Sequence, residues 1–334
     1  MSRSPFPLAL ALGVLALSAC GENTAPVEPA TPDGSLATAS VASASNSWTA
    51  KAPYPIRTVF GYDLGMAPNS AGESIVFAFG GQEDEGVPLV TVQAYNVATN
   101  TWTGGRTSRV AVYNTNGVGK IGSKLYFSGG NNTVGGLPDA TNRVWAYDYG
   151  RDRMIRKADL PIVSAEGVTG VIGGKLYVLP GACNGNNYPN PGYCAEEATR
   201  RFYRYDPATN TWVSRRQAPH FHRNGAAAVI DGKFYVTGGS GASGESVHAL
   251  DVYDPATNTW RTLAPLPADG GGEGAALQGQ FYVVGSRTYA YNRITNQWKA
   301  KAAPDVTGPV TRVVLGGHAR IFLANSDHSA MYTP

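Results

Sequence analysis

The chain has 334 residues, of which only 15% are charged, and a formal net charge of +3. So small a positive excess excludes the electrostatic footprint of a nucleic-acid binder or of a protein drawn to anionic membranes. The 41 glycines and the low charge suit a turn-rich all-β protein.

At the N-terminus, "MSRSPFP" supplies one basic residue, Arg3, ahead of the apolar run "LALALGVLAL". That run falls short of the ~20 apolar residues of a membrane span. It has the length of a signal-peptide core. It ends in "LSAC", Leu17–Cys20, which resembles a bacterial lipobox. The resemblance implies cleavage before Cys20, diacylation of its thiol and acylation of its new amine. An ordinary signal peptide with an incidental cysteine is the alternative. Several acyl chains, at ~0.8 kcal/mol per buried methylene, anchor a protein stably. Gly21 after the cysteine would, by analogy, send the protein to the outer membrane of a diderm cell. Residues 1–19 are thus expected to be a signal peptide. Residues 20–45, rich in Ala, Ser, Thr and Pro, are expected to form a flexible, disordered tether that cannot bury a core. The folded domain is expected over 46–334.

Within that domain "YDPATNTW" occurs twice, at Tyr205–Trp212 and Tyr253–Trp260, with looser copies at Tyr95–Trp102 and Tyr291–Trp298. In the copy spanning 223–260, an apolar run (Ala226–Ile230) meets Asp231-Gly232, a strong hairpin signal. "KFYVTGG" gives a second strand ending in Gly238-Gly239, where close backbone approach is possible. "HALDVYD" gives a third strand and leads into a turn. There Asp254 can bond its own backbone, Pro255 fixes φ and Asn258 tolerates the left-handed conformation. Trp260 opens a fourth strand. The octapeptide is therefore a turn between two aromatic anchors suited to the seam between sheets.

Four antiparallel strands per repeat of 40–50 residues define a β-propeller blade. The order Gly-Gly, then Tyr-Asp, then Trp resembles the kelch family over 46–334. Third-strand tyrosines at Tyr95, Tyr147, Tyr205, Tyr253, Tyr291 and Tyr332 count six blades. Met154 stands in place of one tryptophan, and the sixth is missing because the chain stops at "MYTP". "SNSW", Ser45–Trp48, supplies the missing copy. The last blade should therefore be closed by an N-terminal strand carrying Trp48 beside the C-terminal strands, which removes open sheet edges.

The kelch resemblance implies that the long variable segments 82–91, 131–142 and 182–200 share one face, a site for ligands on a rigid scaffold. Cys183 and Cys194 bracket the longest segment, and in an exported chain a disulfide is the natural reading. A metal pair is the weaker one, since the spacing is not that of zinc sites. Polar residues just before the first strands, Arg57, Glu166, His222, Arg223 and Asn224, with Glu273 and Arg312 one or two steps inside, are the candidate ligand-binding set. Carboxylates and guanidiniums around one mouth would suit a carboxylated sugar or peptide. A solvated rim of mixed charge remains the alternative. His220 and His222 could share a metal only with a distant histidine, so neither a metal nor a cofactor is expected.

The leading expectation is an envelope-anchored, periplasmic or surface-facing monomer. It would bind a glycan or protein on the long-loop face and touch the membrane only through its lipid. The alternative is an enzyme similar to the kelch-fold sialic-acid mutarotases or epimerases, in which Glu166, His222 and Arg223 share acid/base and carboxylate-holding roles. A purely structural envelope protein is a third reading. Fold alone does not choose among them.

Overall fold

A computed structural model describes residues 45–56, 58–83, 88–107, 110–134, 137–182, 200–268 and 272–334. Cys20, Arg57, Cys183 and Cys194, and with them the lipobox and disulfide expectations, lie outside the described residues.

Six four-stranded antiparallel sheets follow one another around a ring. Blade one is built from Thr58–Pro68, Ser74–Glu83, Thr91–Asn96 and Thr101–Thr107. Blade two uses Val118–Ile121, Lys124–Ser128, Val144–Asp148 and Arg153–Lys157. Between its second and third strands, within the segment expected to be a variable loop, stands a small hairpin, Asn131–Val134 with Leu137–Ala140. Blades three, four and five begin at Val168–Ile172, Ala226–Ile230 and Glu273–Leu277. Blade six combines Val310–Leu315, His318–Asn325 and His328–Thr333 with Ser47–Lys51 from the other end of the domain. Trp48 pairs with Tyr332, so the ring closes as expected. The innermost strands touch their neighbours all the way round, blade six meeting blade one.

Local chemistry fixes each blade. Asp231 and Gly232 both have positive φ, 48° and 70°, the turn that lets Ile230 pair with Lys233. Gly170 leaves room for the next blade, since a Cβ there would lie 2.6 Å from the Phe234 ring. The third strand of blade four is shorter than expected, starting at Leu250 rather than His248.

One apolar cluster fills each of the six seams, and the repeated octapeptide binds it shut. In blade three, the Tyr205 hydroxyl donates to Asn210 Oδ1 at 2.6 Å. The same oxygen accepts from the Ala158 backbone N–H of blade two at 2.9 Å. Trp212 Nε1 donates to the Ala158 carbonyl at 2.9 Å. Asn210 reaches this geometry at φ 56°, which asparagine tolerates better than most residues. The same clamp recurs at Asn258 with Trp260, Asn296 with Trp298, Asn100 with Trp102 and Asn46 with Trp48. At the remaining seam Met154 replaces the tryptophan, and an aromatic cluster of Phe77, Phe79, Phe127 and Tyr147 fills the space.

Candidate functional site

The first strands converge on an axial channel whose mouth opens where those strands begin. The cavity measures about 620 Å³ and draws lining residues from all six blades. Its rim is organised by backbone. Gly61, Asn114, Glu166 and Asn224 all adopt left-handed φ, at 83°, 51°, 58° and 52°. The first three each hand a carbonyl to the next blade. Asn114 N–H donates to Gly61 O at 2.6 Å, Glu166 N–H to Asn114 O at 2.9 Å, and Asn224 N–H to Glu166 O at 2.8 Å. Glycine and asparagine accept this conformation readily, whereas glutamate is held there at a cost. The neighbouring glycine is equally constrained: a Cβ on Gly181 would lie 2.1 Å from Glu166 O.

The Glu166 side chain is gripped from both sides. Asn114 Nδ2 donates to its Oε1 at 3.1 Å, and Arg223 Nε donates to its Oε2 at 2.5 Å. On the other side of blade two, Asp63 Oδ2 accepts from the Thr115 hydroxyl at 2.5 Å. Thr115 in turn accepts from Gly117 N–H at 3.1 Å. Loss of hydration among the channel walls pushes Asp63 up to about 6, against the hydrogen bonds from Thr115. The same crowding, with the charge of Asp63 added, pushes Glu273 up to about 8. Both side chains keep access to channel water, which tempers the shift without reversing its direction.

Of the expected site residues, the structure brings Glu166, Asn224 and Glu273 into the cavity wall and ties Arg223 to Glu166. Two stand apart. His222 is buried, its Nδ1 3.0 Å from Gly238 O and its Nε2 3.2 Å from Asp251 Oδ2. His220 Nδ1 reaches the same Asp251 oxygen at 2.9 Å, so the two histidines converge on a carboxylate instead of facing the channel. Arg312 is exposed two residues beyond Val310, the last blade-six residue in the wall. Among the described residues no group of three or more His, Cys, Asp or Glu side chains could hold a metal ion.

The sequence reading missed Asp63, Asn114, Thr115 and Asn116. Asn116 is fully buried and accepts from the Ser164 hydroxyl at 2.8 Å and from Gly167 N–H at 2.9 Å. It thereby fixes the turn that presents Glu166. One signal was available: Asn-Gly precedes the first strand at both Asn116-Gly117 and Asn224-Gly225.

Fold and site define a closed six-bladed propeller with a polar, water-open axial mouth. A family model described as the kelch motif matches residues 222–267, so the chain carries a kelch motif within a six-bladed propeller. It is similar to kelch-like protein 38 of Rattus norvegicus, 29% identical over 43% of this chain and 22% of that one. Kelch repeat and BTB domain-containing protein 12 of Homo sapiens is 25% identical over 50% of this chain and 29% of its own length. An F-box/kelch-repeat protein of Arabidopsis thaliana is 32% identical over 35% and 30% respectively. The chain therefore spans under a third of the length of these relatives. The solved structure of YjhT superposes with a TM-score of 0.64 at 15% identity, over 84% of this chain and 94% of that one. That likeness establishes the fold.

Proposed function

We propose that the propeller is a binding module that takes a glycan or protein ligand at its channel mouth. The supporting observation is the rim itself, where Glu166 is kept in a left-handed conformation and its carboxylate is clamped by Asn114 and Arg223. Strain of this kind, of order 1–3 kcal/mol, clusters at functional sites, and the clamped group is pre-organised for recognition. The module is exported, held to the bacterial envelope through acylated Cys20, and acts as a monomer. A glycan array and affinity capture from envelope extracts test the reading with wild type beside Glu166→Gln. Ligands retained by the wild type and lost by the variant support it. Equal retention by both contradicts it.

One observation favours a second reading, an enzyme acting on carbohydrate. Glu273, pushed up to about 8, is suited to giving and taking a proton near neutrality. Exchange of sugar anomers followed by NMR tests it: acceleration by wild type that Glu273→Gln abolishes supports catalysis. His222 is too enclosed to share in that step.

A further inference from the structure

The charges around the mouth narrow the ligand chemistry. Among the described residues the cavity wall holds three carboxylates, Asp63, Glu166 and Glu273, and no lysine, arginine or histidine. The carboxylates are not equivalent. Arg223 balances Glu166 from outside the wall. Crowding in the wall and the charge of Asp63 disfavour the ionised form of Glu273. Asp63 has no cation partner among the described wall residues and is anchored through Oδ2 by Thr115.

We infer that the mouth takes an uncharged, hydroxyl-rich ligand, a neutral glycan, and discriminates against its carboxylated counterpart. The inference rests on the reading of the mouth as the binding site. Sugar hydroxyls donate and accept at once, and the wall offers both partners. Asp63 and Glu166 present acceptor oxygens, the exposed Asn224 adds an amide, and Ser286 and Thr307 add hydroxyls. A carboxylated sugar brings a second anion beside Asp63, where the cavity wall has no basic side chain among the described residues, and an unmatched like charge is the usual device for rejecting a competitor. An ammonium ligand gains little, because Arg223 already pairs with Glu166 and the wall disfavours an ionised Glu273. At about 620 Å³ the space lies within the ~300–1,000 Å³ of small-molecule sites.

The test is an array of neutral hexose oligomers, their free-amine forms and their uronic-acid counterparts, probed at pH 7 with wild type, Asp63→Asn and Glu273→Gln. Thermal melts of all three proteins check that they are folded. The expected result is retention of neutral oligomers, with uronates at least 10-fold weaker and Asp63→Asn narrowing that gap. Uronates or free-amine forms retained as well as or better than the neutral series overturn the inference. If either substitution still alters that retention, the mouth stands as the binding site. Retention indifferent to both substitutions overturns the site assignment as well. Capture of peptides with no glycan retained also contradicts a neutral glycan.

Discussion

Trp48 and Ala302 lie 254 residues apart in sequence, yet the Trp48 indole N–H donates to the Ala302 carbonyl at 2.9 Å. The contact joins blade six to blade five, and Trp48 also packs on Tyr332 with ring centroids 5.3 Å apart. Removing residues 21–43 leaves all of this in place. Removing 21–52 takes away the whole outer strand of blade six and exposes an unpaired edge. The first truncation should melt like the full domain. The second should melt lower by roughly 10 °C, as expected for a loss of several kcal/mol. Equal melting temperatures would refute closure by this strand.

The asparagine clamp makes a separate claim about stability. Asn210→Gly keeps the left-handed backbone but removes the acceptor shared by Tyr205 and Ala158. The expected cost is about 1–3 kcal/mol for the two bonds lost, one part-buried and one exposed. Asn210→Ala should cost more, because it adds backbone strain at φ 56°. Urea unfolding of the pair checks the order. An alanine variant as stable as the glycine variant would contradict it.

Acid sensitivity should centre on blade four. Burial works against ionised Asp251, but hydrogen bonds from His222, Thr262 and His220 prevail and hold it below the usual carboxylate value. A depressed folded value contributes stability above the unfolded pKa of ~3.9 and loses it as pH falls through the folded value. Wild-type stability should therefore drop below about pH 4, and Asp251→Asn should be weaker at pH 7 with a flatter acid limb. An unchanged acid limb would exclude this carboxylate as its source.

Glu273 should behave in the opposite sense. Its folded value is raised from 4.5 to about 8, so ionisation penalises the fold. The penalty is absent below pH 4.5, grows across the interval to 8 and is complete above it. Glu273→Gln should leave the melting temperature unchanged at pH 4 and raise it at pH 9. A variant equally or less stable at pH 9 would show that the channel does not disfavour this charge.

The architecture was legible because its signals are local and repeated. Asp231-Gly232, Asn258 and Trp260 each dictate a turn or an anchor by their own chemistry, and "SNSW" gave away the closure. The site was only half legible. Glu166 and Arg223 stood out as charges beside first strands, and they do pair. His222 looked equally exposed in sequence, but Asp251, 29 positions later, draws it inward. No local pattern announces such a long-range bond. Asp63 was missed for the converse reason: it sits within a long first strand, where a single carboxylate gives no sign that it faces an axial channel.

The central claim is that Glu166 is kept for recognition and not for folding. Glu166→Gly tests it directly, with a melt and a binding titration against the ligand retained by wild type. The substitution relieves the backbone by about 1 kcal/mol and gives up a partly exposed ion pair worth about 0–1 kcal/mol. Stability should hold or rise slightly. Binding should weaken about 10- to 150-fold, as expected for the loss of a charge-assisted acceptor worth about 1.5–3 kcal/mol. A variant that binds as tightly as wild type, or one that unfolds, would contradict the account.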